Sequence, residues 1–510
     1  MRQAAMTRDD RIVVAGLVVF ALLFRLATVM MINTGVDERD YWQSARAISQ
    51  GLPYPELSHR TTRYAVILPV AAAQFALGIH PNVYYVLPVL NCMLQAGLAY
   101  ALGFRLRGRL TGFLAALALI LFPYMIRAGS QVRPEVFSIT YMLLVLRYFV
   151  QYMDQENQRF RPLLWATLWM FVAYETKITN LFLVPGLFLA ILLYKRRPRH
   201  AWMMAGLLFG LFLVETTLYA GLTPYKLGEL EIITQKHFHT DSFTVPRLID
   251  LLQRYAPDNL QPYWSVPFVI FAVGSIWYLV KGRDRGVKGL ILGALSFFFF
   301  ITIAVKGLHP ITPAESFINR YFSVVLVPVF LTLAFLAEGA LRRFPGTGRA
   351  LRQIGAPSTF LVVLALGAFG VGIVISQPIL PDRLRSYARS PFDPSTHPFA
   401  LNERYRLMMN QAYADGIPIV SSKGLAGSSA LQACAAFFLD IDKFNDGRAP
   451  EPISVSWGGS RYLCLSVNGD IKGRSSVIVA RRLPFRLDLV EVRDLPMVAA
   501  EPGAEQNEQE

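Results

Sequence analysis

The sequence predicts an α-helical polytopic membrane protein of about eleven transmembrane helices, followed by a small extracytoplasmic α/β domain. Three observations predict this class. The 510 residues are 54% hydrophobic and only 17% charged, with a mean hydropathy of +0.38, too apolar for a soluble globular chain. Apolar runs long enough to cross a bilayer recur through the first three-quarters of the chain. Short Lys/Arg clusters fall at alternate connections between those runs, the pattern that orients spans in a membrane. The net charge of +15 is distributed among these clusters rather than gathered into one stripe, so it is a topology signal and no nucleic acid is expected as a partner.

The first run, 12–32, follows Arg2, Arg8 and Arg11 and is followed by Asn-Thr-Gly-Val-Asp rather than a small-residue cleavage site. It reads as an uncleaved anchor. Further runs lie near 82–104, 110–127, 135–153, 163–176, 179–194, 201–220, 263–280, 289–305, 321–341 and 358–376. Basic clusters at 105–109 (RLRGR), 159–161 (RFR), 195–199 (KRRPR), 281–288 (KGRDRGVK) and 342–352 (RRFPGTGRALR) mark the cytoplasmic connections. The remaining connections, and everything after Gln377, are then external. The apolar stretch RYAVILPVAAAQFALGIHP contains Pro69. It is expected to lie along or dip into the membrane surface, because counting it as a span would invert every later connection.

These features predict a transmembrane domain over 1–376, an external α/β domain over 377–500 and a disordered acidic tail over 501–510. In the second domain IPIVSS, SSVIVARRL and RLDLVEV read as strands and ALQACAAFFLDI as a helix. Three cysteines exclude a disulfide scaffold or a zinc ribbon. Cys92, in an apolar run, is expected to be inert packing, and Cys434 and Cys464 can pair if their domain is external. His237 and His239 lack a third spaced ligand, GLAGSS at 424–429 lacks the P-loop lysine, and there is no dinucleotide fingerprint.

Ionisable residues near a membrane are costly and default to a functional role. They concentrate on the external connections: Asp37, Glu38 and Asp40 with Glu56, His59, Arg60 and Arg63; Arg133 and Glu135 in SQVRPEVF; Glu175 and Lys177 in YETKITN; Glu215; and Glu315, Arg320 and Tyr321 in ESFINRYF. Each has a structural alternative. Arg133 and Arg320 singly would be interfacial anchors, Glu175 and Lys177 a solvated turn, and Asp37-Glu38 a helix cap with a first-turn acid. For any one position function and structure weigh about equally, and their convergence on one face favours function.

Taken in order, the acidic pair Asp37-Glu38 after the first span, RPE at 133–135, YETK at 174–177 and NRYF at 319–322 resemble the membrane glycosyltransferases of type C fold. Within that fold the resemblance is to the dolichyl-phosphate-mannose protein mannosyltransferases and the aminoarabinose transferases. The resemblance runs through about residues 12–341 as an order of features. Two departures leave the acceptor open: HRTTRYAVILP stands where the family often has a proline-rich stretch, and the histidine motif of the eukaryotic protein mannosyltransferases has no match. The resemblance implies a sugar donor on a polyprenyl phosphate, used at the extracytoplasmic face of the cell membrane, and direct displacement with inversion. The acceptor would be a glycan, lipid or protein.

Such transfer needs a base for the acceptor hydroxyl and cations for the phosphate leaving group. Asp37 is the expected base, with Glu38 orienting the loop or a partner cation. Lys177 and Arg320 are the expected phosphate binders, Arg133 a third, and Glu135 and Tyr321 supports. No cofactor is required; a divalent metal is compatible with the acids, although no ligand spacing demands one. The alternatives are a lipid-linked sugar transporter and a non-catalytic scaffold, and the one-sided placement of the charges favours an enzyme over a transporter.

Overall fold

The computed structural model describes residues 6–27, 36–55, 57–79, 81–155, 159–225, 227–228, 231–232, 262–303, 305–308, 311–313 and 319–343, and three strands beyond them. The chain divides into two units, Met1–Val371 and Gly372–Glu510. Among the described residues the first unit is almost wholly helical: α1 Arg8–Ala27, α2 Val36–Gln50, α3 Tyr64–Leu77, α4 Pro81–Leu106, α5 Arg109–Leu121, α6 Pro123–Ala128, α7 Pro134–Asp154 and α8 Arg161–Tyr174. A continuous helical segment follows, Ile178–Lys195, with α9 (Val184–Ala190) between a 3₁₀ and a π turn. Then come α10 Pro198–Leu222, α11 Pro262–Lys281, α12 Arg285–Ile303, a small hairpin of β1 Val305–Leu308 and β2 Ile311–Pro313, a 3₁₀ turn Asn319–Ser323, and α13 Leu326–Leu341.

Among the described residues six helical segments are long and apolar enough to cross a membrane: Val83–Leu106, Pro134–Asp154, Ile178–Lys195, Pro198–Leu222, Tyr263–Lys281 and Arg285–Thr302. Four more of the expected runs are helices as well, but α5, α8 and α13 are shorter apolar pieces, and α1 carries charges in its first turn. The run 110–127 is two helices, because Pro123 cannot continue α5 and instead starts α6. The run 358–376 lies outside the described residues. The Pro69 segment is a helix of 14 residues, shorter than a span.

α7 forms the centre. Fifteen of its 21 residues are buried, and it packs against α4, α8 and α12. At the periphery α10 exposes Trp202, Phe209, Leu218 and Leu222, and α11 exposes Val269, Val273 and Val280. An apolar face turned outward is what a lipid-facing helix presents. α4 and α5 cross closely because a Cβ on Gly103 would fall 2.7 Å from the Gly112 Cα. Polar ties hold the same region: Arg109 Nε donates to Asp10 Oδ1 at 2.7 Å, and Thr111 donates through its backbone N and Oγ1 to Glu338 at 2.9 and 2.6 Å. Cys92 is buried, as expected of inert packing.

In the second unit β3 Ile419–Ser421 lies parallel to β5 Ser460–Leu465, and β5 pairs antiparallel with β4 Ile453–Trp457. β3 coincides with the expected strand IPIVSS. The β4–β5 pair was not expected, although Gly458-Gly459 between two alternating runs is a two-residue hairpin signal. The other expected strands, the helix at 430–441, Cys434, His237, His239 and the acidic tail lie outside the described residues.

Candidate active site

Pro134 opens α7 at a position where its missing N–H costs nothing, and Glu135 takes the first turn, where the helix dipole favours an acid. The residue before a proline is held extended, which places Arg133 at the mouth of α7 rather than on it. α8 ends at Tyr174, and its last turn is closed by local bonds. Lys177 N donates to the Tyr174 carbonyl at 2.8 Å, and Asn180 Nδ2 donates to the Ala173 carbonyl at 2.6 Å and to Thr176 Oγ1 at 3.2 Å. Ser138 on α7 donates to Asn180 Oδ1 at 2.9 Å. This clamp fixes the turn that carries Lys177 against α7.

Lys177 is 4% exposed. Its ammonium donates to Glu135 Oε1 at 3.0 Å and to the Arg320 carbonyl oxygen at 3.1 Å, and sits 4.6 Å from the Tyr321 ring centroid. Burial pushes the Lys177 ammonium down to about 8; the Glu135 carboxylate opposes that shift, while Arg320 and Arg63 add to it. Beside this pair Arg133 Nε lies 2.5 Å from Glu38 Oε1. Burial alone would lower Arg133, but the carboxylates of Glu38 and Glu135 outweigh it and hold the guanidinium above its ordinary value. Arg320 and Arg133 are both electrostatic neighbours of Glu135. The Arg320 guanidinium lies 5.7 Å from the Tyr321 ring.

The structure therefore brings together six expected site residues from four distant segments: Glu38, Arg133, Glu135, Lys177, Arg320 and Tyr321. Within this group Glu135 holds Lys177, and Glu38 holds Arg133. Asp37 is in the first turn of α2, one residue after the helix begins, so it is not the helix cap. Its side chain, Glu56 and Glu315 lie outside the described residues. Asp40 is about a quarter exposed and pairs with Arg60 at 3.2 Å. Glu215 lies on α10 with its side chain part-buried.

Several residues carry more weight than the sequence suggested. Asn180 and Ser138 position the lysine turn. Arg63 donates to Tyr41 Oη at 2.6 Å and acts on Lys177. Tyr84 and Tyr124 are neighbours of Arg133. Arg25, 1% exposed in α1, donates to the Ile120 carbonyl at 2.8 Å. An arginine within an apolar run was the available signal for it. Among the described residues no group of three or more His, Cys, Asp or Glu could hold a metal ion.

Residues 69–219 match the family model of the dolichyl-phosphate-mannose-protein mannosyltransferases. The segment is mannosyltransferase-like. It contains Arg133, Glu135 and Lys177, so three of the clustered side chains fall inside the match, and the resemblance read from the sequence is borne out there. Two solved structures are similar. ArnT from Cupriavidus metallidurans bound to undecaprenyl phosphate is 16% identical with a TM-score of 0.46, over 79% of this chain and 69% of that one. The apo state of the same protein is 17% identical with a TM-score of 0.45 over the same shares. No curated protein matches the chain.

Proposed function

We propose that this mannosyltransferase-like membrane protein transfers a sugar from a polyprenyl-phosphate donor to an acceptor hydroxyl, at the extracytoplasmic face of the cell membrane. The observation that carries it is the buried Lys177 ammonium, held between Glu135, the Tyr321 ring and the Arg320 carbonyl, with the Arg133–Glu38 pair alongside. Four cations, Arg63, Arg133, Lys177 and Arg320, gather there with the Glu38 and Glu135 carboxylates, a set suited to meet the charge of a leaving phosphate.

Asp37 acts as the base. It takes the proton as the acceptor oxygen bonds to the anomeric carbon, while the bond from that carbon to the phosphate oxygen breaks and the electron pair leaves with the polyprenyl phosphate. Attack opposite the leaving group inverts the anomeric centre. Arg320 and Arg133 bind the phosphate oxygens, a task suited to the planar guanidinium fork, and Lys177 supplies a compact charge in a site where low polarity strengthens it. Glu38 and Glu135 hold two of these cations in place. The family match over 69–219 supports a lipid-linked donor; the sugar and the acceptor are set by the test.

The test incubates membranes containing the protein with labelled polyprenyl-phosphate sugars and follows label into protein, lipid and glycan fractions. Transfer that depends on the lipid-linked donor and disappears in Arg320→Ala is the expected result. Label retained in the donor under all conditions, or transfer from a soluble nucleotide sugar alone, would remove the proposal.

A further inference from the structure

At the other end of α7, one helix length or roughly 30 Å from Glu135, the molecule has a second charged region. A cavity of about 1850 Å³ opens there between α4, α11 and α13, larger than the 300 to 1,000 Å³ of an ordinary small-molecule cleft. Its walls are apolar, with Phe104, Val269, Val273, Trp277 and Leu336 among them. Val269 and Val273 are about two-thirds exposed, so the cavity is open on the side where α11 turns its apolar face outward. Its rim is basic: eight Lys/Arg side chains line it against two carboxylates, Asp154 and Asp284.

Two of the rim arginines are paired internally and three further cations carry no such pair among the described residues. Arg105 pairs with Asp154 at 3.1 Å, and Arg342 donates to Glu338 at 2.9 Å. Arg107 lies 4.5 Å from the Phe335 ring and donates to the Phe335 carbonyl; burial, Arg342 and Arg343 push it below its ordinary value despite Glu338. Among the described residues no ion pair involves Lys281, Arg283 or Arg285. Three clusters far apart in sequence, RLRGR, KGRDRGVK and the start of RRF, thus meet around one apolar slot.

We infer that this cavity is a binding site for an anionic phospholipid, its phosphate headgroup on the Lys281–Arg283–Arg285 side of the rim and an acyl chain between α4, α11 and α13. A basic ring above an apolar slot, open beside a lipid-facing helix, matches a molecule with an anionic head and an apolar tail. A soluble anion would leave the walls uncovered, and a neutral lipid would leave the rim uncompensated. Basic pockets between spans are a recurrent form of anionic-lipid recognition. The bound lipid links α11, a peripheral helix, to the α4–α13 pair.

The experiment measures the thermal stability of the purified full chain in neutral detergent, and the lipids it retains by native mass spectrometry. It uses phosphatidylglycerol, phosphatidylcholine, glycerol phosphate and a polyprenyl phosphate in parallel. Phosphatidylglycerol alone is expected to raise the melting temperature and to remain bound. The triple variant Lys281→Gln/Arg283→Gln/Arg285→Gln is expected to bind it on the order of a hundredfold more weakly, at about one charge contact per residue. If the triple variant fails to fold, Arg283→Gln alone is measured, with a smaller loss expected. An undiminished phosphatidylglycerol response in the variant overturns the inference. So does an equal response to glycerol phosphate, which makes the ligand a soluble anion, or a response of this rim to polyprenyl phosphate alone. The readout is lipid binding rather than sugar transfer, so it is independent of the proposal for the other end.

Discussion

The two ends of α7 handle charge in opposite ways. At its N-terminal end Glu135 and Lys177 are almost fully buried and neutralise each other, with Arg133 and Glu38 paired beside them. At its C-terminal end a half-exposed ring of arginines and lysines outnumbers its carboxylates fourfold. Burial explains the contrast. An isolated charge taken out of water costs several kcal/mol, so a buried cation is stabilised by a partner of opposite sign, whereas a partly solvated cation does not need one. Compensated charges in a dry site are fixed in position, as catalysis requires, and uncompensated charges at an apolar slot are open to an external anion.

The largest expected effect is on chemistry at the N-terminal end. Asp37→Asn, assayed for transfer in membranes matched for protein level, is expected to lose on the order of a hundredfold to ten-thousandfold in rate, while Asp40→Asn, which disturbs only the pair with Arg60, stays near normal. Near-normal transfer by Asp37→Asn would make Asp37 a first-turn acid that serves the helix.

Next in size is a stability contrast between the ends. Lys177→Met strands a buried Glu135 and is expected to destabilise the fold by about 3–5 kcal/mol, whereas Lys281→Met is expected to change stability by less than about 0.5 kcal/mol. Lys177→Met/Glu135→Met should recover most of the stability and none of the transfer. Equal losses from Lys177→Met and Lys281→Met in thermal unfolding would erase the distinction between compensated and open charge.

The pH dependence sharpens the same point. With the Lys177 ammonium lowered to about 8 by burial, use of the donor should fall as pH rises through about 8, since the charge that meets the phosphate is lost. Stability should move the other way. Between about 8 and the unchanged lysine value of 10.5 the unfolded chain holds a proton that the folded chain has released, so this group's contribution to stability increases with pH in that window. Lys177→Arg should shift the fall in donor use to higher pH; an unshifted profile assigns the titration elsewhere.

Among the ion pairs the smallest loss belongs to the partly exposed Arg60–Asp40 bridge. Arg60→Ala, which breaks the Arg60–Asp40 bridge, is expected to cost no more than about 1 kcal/mol in a thermal melt.

The helical runs and their ends were legible in the sequence, because apolar length and proline placement are local properties. Ten of the expected spans coincide with helices and Pro134 marks a helix start as its restricted geometry requires, while the expected run 110–127 divides at Pro123. The meeting of the basic clusters at one end was also legible, since each connection reverses the chain and alternate ones share a side. The residue types of the candidate site could be read from their cost near a membrane. Their partners could not. Glu135 lies 42 residues from Lys177, and Lys177 lies 143 residues from the Arg320 carbonyl it binds. Nothing in the intervening sequence states which helix ends touch. Packing of α7 against α4, α8 and α12 decided that Glu135 takes Lys177 and leaves Arg133 to Glu38, that Asn180 clamps the lysine turn, and that three basic clusters enclose an apolar slot. Composition and periodicity fix where a segment sits along the membrane normal; the choice of partner across it is a property of side-chain fit in three dimensions.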